Sequence, residues 1–163
     1  MGYRTILEAK PETVQDLELS AKRRLDEAFD LYRSGRFHTA IYIAGLAAEM
    51  YLKTACFFLE GAKPADNANA LMAPLKPNKY KPSFIGNFES GHGLLFWSQE
   101  LLDRRKNRGL SPAPVRFIPI ISSISSDWFI AMRYRPGSAT KNDAAQFILK
   151  VECLANDHAV LRR

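Results

Sequence analysis

No stretch constrains this chain more than IYIAGLAAEMYLKTACFFL, residues 41–59. Ile41, Ala44, Gly45, Ala48, Leu52, Ala55, Cys56 and Leu59 recur at helical spacing, and Ile43, Leu46, Met50, Phe57 and Phe58 fill the other side. A helix apolar on both sides belongs at the centre of a bundle, or is divided between a core and a subunit interface. Gly45 costs about 1 kcal/mol relative to Ala within a helix. Its place beside Ala44, Ala47 and Ala48 predicts close approach of a neighbouring helix. Glu49 and Lys53 interrupt this surface as an i,i+4 pair in the favourable order, worth only ~0.2–0.5 kcal/mol if exposed. If buried, the carboxylate needs partners, and Arg133, Tyr134 or Arg135 could supply them. Two readings follow. Glu49 is a structural tie to the RYR segment, or Glu49, Lys53, Arg133, Tyr134 and Arg135 line a small polar cleft for a phosphate-bearing ligand.

The flanking sequence is also helical. Pro11 and Glu12 open a pattern carried by Val14, Leu17, Ala21, Leu25, Ala28 and Tyr32, which stops at Ser34-Gly35. Gly61 ends the central helix. Residues 62–90 hold Pro64, Pro74, Pro77 and Pro82 with several Asn, and predict a long irregular excursion with one helical turn at 68–73. A third long helix runs from Gly91 to Arg108-Gly109, with His92, Leu95, Phe96, Gln99 and Leu102 on its stripe. A fourth is expected over 114–124, with a short turn at 127–133. Thr140 caps the last helix with Asp143 three residues on, and its stripe is Ala144, Phe147, Ile148, Val151, Leu154 and Ala155. The expected fold is all-α: a single-domain, antiparallel up-and-down bundle of about five helices, interrupted between the second and third by the excursion.

The 163 residues carry a formal charge of +6, which suits an acidic partner such as RNA and equally suits solubility alone. Cys56 and Cys153 lie far apart, outside any Cys/His ligand spacing, so neither a zinc site nor another cofactor is expected. Free thiols fit a reducing cytoplasm. No signal-peptide core opens the sequence and no run approaches ~18 uncharged apolar residues, so no membrane association is expected.

Residues 24–55, RLDEAFDLYRSGRFHTAIYIAGLAAEMYLKTA, resemble the first two helices of the HEPN domain family. The link supplies Gly35 and Phe37. The second helix then supplies Ala40, Tyr42, Ala44, Gly45, Ala47, Glu49, Leu52 and Lys53, matching A-x-Y-x-A-G-x-A-x-E-x-x-L-K. GHGLLF at 91–96 resembles the start of the family's third helix, and MRYRPG at 132–137 its R-Y-P segment, with Arg135 displacing the proline. The resemblance implies a helical bundle, commonly a homodimer. It also implies one of several roles: ribonuclease toxin, partner of a nucleotidyltransferase-like chain, or binding module for RNA or a nucleotide.

The nuclease members resembled here carry Arg, four to six residues, then His near the last helices. Such a His moves a proton near neutral pH while the Arg holds the phosphate. The one formal match is RSGRFH, Arg33 and His38, at the junction of the first two helices rather than in the family's place. It defines the alternative of a metal-independent endoribonuclease, against a plain basic turn. Arg104, Arg105, Lys106 and Arg108 form the densest basic cluster, with Trp97 upstream. They fit either nucleic-acid contact or cations complementing a helix C-terminus. The leading expectation is a non-catalytic, dimeric binding and assembly module.

Overall fold

The capping chemistry of the first helix organises the chain around it. In the computed structural model, which describes residues 12–72, 93–110, 113–128 and 137–163, the helices are α1 (Val14–Arg33), α2 (Phe37–Leu59), α3 (Ala68–Met72), α4 (Leu94–Asn107), α5 (Phe117–Asp127) and α6 (Lys141–Leu161). Thr13 is the N-cap of α1. Its hydroxyl accepts from Asp16 N at 3.1 Å, while Asp16 accepts from the Thr13 backbone at 3.1 Å. The two preceding orphan donors find partners too: Val14 N donates to Asp66 O at 3.0 Å and Gln15 N to Pro64 O at 2.9 Å. Residues 62–72 of the expected excursion are therefore ordered against α1, and its expected helical turn is α3. The rest of the excursion, with Pro11, Gly91, His92 and residues 129–136, lies outside the described residues.

Gly35 and Gly61 stop α1 and α2 by the same device. Gly35 has φ 76°, its N–H donates to Tyr32 O, and Arg36 N donates to Leu31 O at 2.9 Å. Gly61 repeats the pattern with φ 83° and bonds to Phe58 O and, through Ala62 N, Phe57 O. This double closure satisfies carbonyls the helix leaves open, and its left-handed residue favours glycine. The turn at Gly35 folds α1 and α2 into an antiparallel hairpin, so that Gln15 and Phe58 line the same depression.

The fold is an all-α packed bundle with α2 at its centre, flanked by α1, α6 and α4, while α5 lies against α4 and α6. Among the described residues the only extended pairing is the isolated bridge between Thr13 and Asn67. Val14, Leu17, Ala21, Leu25 and Ala28 are buried, as their spacing predicts. Ala144, Phe147, Ile148, Val151 and Leu154 of α6 are buried as well, behind the Thr140–Asp143 capping box. By length and composition α2 could cross a membrane, with mean hydropathy 1.3, yet 72% of that window is buried inside the bundle.

Three expectations require correction. The first helix starts at Val14 behind the Thr13 cap, with Glu12 outside it, rather than opening at Pro11 and Glu12. Of the expected stripe of α4, Phe96 is buried, but Leu95 is half exposed and Gln99 is at the surface, and the rest of the buried face is Leu94, Trp97, Ser98, Leu101 and Arg105. The expected face is off by one residue, about 100° of rotation. Trp97 sets the rotation, because its indole packs edge-on against Phe57 at 6.0 Å and Phe96 at 5.1 Å. The fourth helix spans Phe117–Asp127, three residues later than expected. Pro119 is thereby placed in the first turn, where its missing N–H has no intrahelical acceptor to lose.

Candidate functional site

Glu49 and Lys53 lie inside the bundle and face each other as a direct ion pair. Helical spacing puts them on adjacent turns, and the α4 packing then covers them with Trp97, whose ring centroid is 5.4 Å from Lys53 Nζ. One turn on, Cys56 Sγ contacts Trp97 O at 3.6 Å, and burial pushes its thiol well above the usual range. A thiol so held is a small packed apolar group, not a nucleophile. The candidate partners Arg133, Tyr134 and Arg135 lie outside the described residues. The residues at either end of that stretch are placed, and both rest on the first half of α2. Trp128 Nε1 donates to Tyr42 O at 3.1 Å, and its ring lies where a Cβ on Gly45 would be, 2.0 Å away. Gly137 packs on the His38 ring, 1.8 Å from where its own Cβ would stand. The close approach expected at Gly45 is real, and its occupant is an indole rather than a helix backbone.

A second buried polar cluster joins α1, α2 and α6. His158 Nε2 lies 2.9 Å from Thr54 Oγ1, its ring tilts against Tyr51 at 5.3 Å, and Nδ1 is 3.4 Å from Glu18 Oε1. Burial, and then the Arg162 guanidinium, push the His158 pKa down to about 4. Glu18 pulls the other way, but Arg162 Nη1 sits 2.7 Å from the same oxygen and draws its charge. His158 is therefore neutral at pH 7. Thr54 Oγ1 shares a hydrogen bond with Nε2 while its own proton is within reach of the Met50 and Tyr51 carbonyls, so the hydroxyl ties His158 to the backbone of α2. Asp157, the next residue back, receives a two-pronged bond from Arg116 and ties the start of α5 to α6. Sequence reasoning missed both residues. They break the apolar stripe of α6 near its end, and that break was the available signal.

The remaining candidates separate. Arg33 stands 71% exposed at the end of α1, 3.4 Å from Asp30, while His38 is half-buried under Gly137. Arg105 turns inward, 4% exposed, and its Nη1 donates to the carbonyls of Val160, Leu161 and Arg163 at 2.8–3.0 Å. It acts as a cation on the C-terminus of another helix, α6. Arg104 bridges Glu60 at 2.7 Å and Glu100 at 3.1 Å. Lys106 and Arg108 stay at the surface. Among the described residues no group of three or more His, Cys, Asp or Glu could hold a metal ion.

The α1–α2 hairpin, with its glycine stop, its small-residue strip around Gly45 and its internal Glu49–Lys53 pair, falls within a single family match. The HEPN domain family model matches residues 14–81. That stretch belongs to the HEPN family. No curated protein and no solved structure matches the chain. The HEPN segment takes in α1, α2 and α3, so it contains Glu49, Lys53, Arg33 and His38. The basic cluster on α4, the RYR segment and His158 come from beyond it. What completes the surroundings of the HEPN hairpin is thus supplied by the second half of the chain: Trp97 over Lys53, Trp128 over Gly45, Gly137 over His38 and His158 against Thr54.

Proposed function

We propose that this protein is a non-catalytic HEPN-type binding and assembly module. It acts as a single cytoplasmic domain, forms a homodimer, and works with a partner protein such as a nucleotidyltransferase-like chain. RNA or a nucleotide is its acidic ligand. The observation that carries this reading is the burial of Glu49 against Lys53 beneath Trp97. The central charged groups are used inside the fold as ties, which favours the structural reading of the pair over a ligand cleft. Two further facts agree with it. His158 is buried with its proton affinity lowered, a poor state for a proton carrier near pH 7. Leu149 and Val160, each about half exposed, lie on one stripe of α6 about three turns apart, with half-exposed Ile118 on α5, apolar surface available to a second copy.

The test is RNA cleavage in EDTA by the parent and by His38→Ala, alongside light scattering on the parent. We expect intact RNA in both reactions and the mass of two chains. Cleavage by the parent that His38→Ala abolishes would overturn this reading in favour of the displaced Arg33/His38 nuclease.

A further inference from the structure

Arg105 does more than cap α6. By gripping the carbonyls of Val160, Leu161 and Arg163 it draws two basic runs, far apart in sequence, to one end of the bundle. Lys106 and Arg108 follow it on one side, and Arg162 and Arg163 flank it on the other. Between Arg162, Arg163 and the α1–α2 hairpin lies a shallow depression of about 470 Å³, whose lining includes Phe58 and Pro64. The Arg162 guanidinium sits 5.1 Å over the Phe58 ring, and exposed Lys63 adjoins Pro64. Of the acidic groups nearby, Glu18 is engaged by Arg162, Glu60 by Arg104, and Asp66 accepts from the Lys63 backbone N–H. Cations at helix C-termini commonly serve the helix itself. Here Arg105 fills that role for α6, while no ion pair among the described residues holds Lys106 or Arg108.

From this juxtaposition we infer that the end of the bundle carrying Lys63, Lys106, Arg108 and Arg163 around Phe58 is a contact surface for single-stranded RNA. The basic side chains track phosphates, and the Arg162–Phe58 pair offers a platform on which a base stacks. A flat lipid surface would make no use of an aromatic recessed between arginines. The inference rests on the proposal that the module takes RNA as its ligand, and it names the surface.

The experiment is fluorescence anisotropy with a labelled single-stranded RNA of about 12 nucleotides, within the site sizes of such proteins, in EDTA at low and moderate salt. The double variant Lys106→Glu/Arg108→Glu is compared with Lys22→Glu/Arg23→Glu. The latter makes the same charge change on the exposed face of α1. Circular dichroism confirms that both fold. We expect the parent to bind with an affinity that falls as salt rises, and the α4 variant to bind at least about tenfold more weakly than the α1 variant. Phe58→Leu, which keeps the site apolar, should weaken binding several-fold without changing the salt slope. Equal binding by the two charge variants would overturn this placement and leave the RNA-binding module standing. No binding by the parent would overturn the RNA assignment, while a dimer by light scattering would still uphold the assembly reading. Patch-dependent binding to anionic vesicles but not to RNA would overturn it in favour of a membrane surface. Cut RNA in EDTA would sink the non-catalytic reading separately, with the surface still judged by which variant retains binding.

Discussion

At the scale of single residues, the charges inside the bundle are its most exacting feature. Removing one partner of the Glu49–Lys53 pair leaves a buried charge uncompensated, at a cost of about 3–5 kcal/mol. Glu49→Leu and Lys53→Met should each destabilise by that order in urea unfolding, and the double variant should cost less than their sum. A fully additive result would mean the two groups do not act on each other. His158 makes a prediction in pH. Its folded pKa of about 4 lies below the unfolded value of about 6.5, so the unfolded chain binds the proton first as pH falls. Stability is unaffected by this group above about pH 6.5, declines between about pH 6.5 and 4, and levels off below. The loss at pH 4.5 should be about 2–3 kcal/mol. Denaturation at pH 7 and 4.5 tests this, and His158→Gln should remove that part of the acid sensitivity. An unchanged acid limb in the variant would show that other groups carry it.

At the scale of elements, close approach governs. A Cβ on Gly45 would stand 2.0–2.3 Å from three atoms of the Trp128 ring, so Gly45→Ala must displace the indole and break its bond to Tyr42 O. Ala gains about 1 kcal/mol of helix propensity. Overpacking and lost indole burial outweigh it, for a net loss of about 1–3 kcal/mol. Thermal unfolding measures this, with indole fluorescence reporting whether Trp128 moved. A more stable variant would mean Trp128 is not seated there. The elements themselves were largely legible. Gly35, Gly61 and the Thr140-x-x-Asp143 box marked helix ends because each does local work at the backbone. The face of α4 was not legible, because Leu95 and Leu102 look as suitable as Leu94 and Leu101 until Trp97 meets Phe57. The cap of α1 is misplaced by the sequence, which points to Pro11 and Glu12 rather than to Thr13. Thr13 and Asp16 are local, but the carbonyls of Pro64 and Asp66 arrive from about fifty residues away.

At the scale of the whole molecule, the second half of the chain covers the HEPN hairpin on several sides and leaves apolar side chains outward on α5 and α6. If the proposed homodimer uses α6, Leu149→Glu/Val160→Glu should convert it to monomer with the fold intact, since both side chains already face solvent. Light scattering over a concentration series decides the matter, and a persistent dimer would move the interface to another face. The same scale explains the fate of the basic cluster read from the sequence. Four neighbouring cations looked equivalent, yet Arg105 is spent on α6 and Arg104 on two glutamates, leaving Lys106 and Arg108 to join Arg163.

Local chemistry was enough to identify an all-α chain, its central apolar helix, its stops, the cap of its last helix, and its HEPN resemblance. Periodicity, glycine stops and capping boxes act over a few residues and leave their trace in the spacing. Which way α4 faces, what fills the space over Gly45, and that His158 and Asp157 are buried depend on partners distant in sequence. So does the use of Arg105 as an internal cap rather than a surface cation. A charged side chain takes its role from whether a carbonyl, a carboxylate or water stands opposite it, and that is settled when the helices pack.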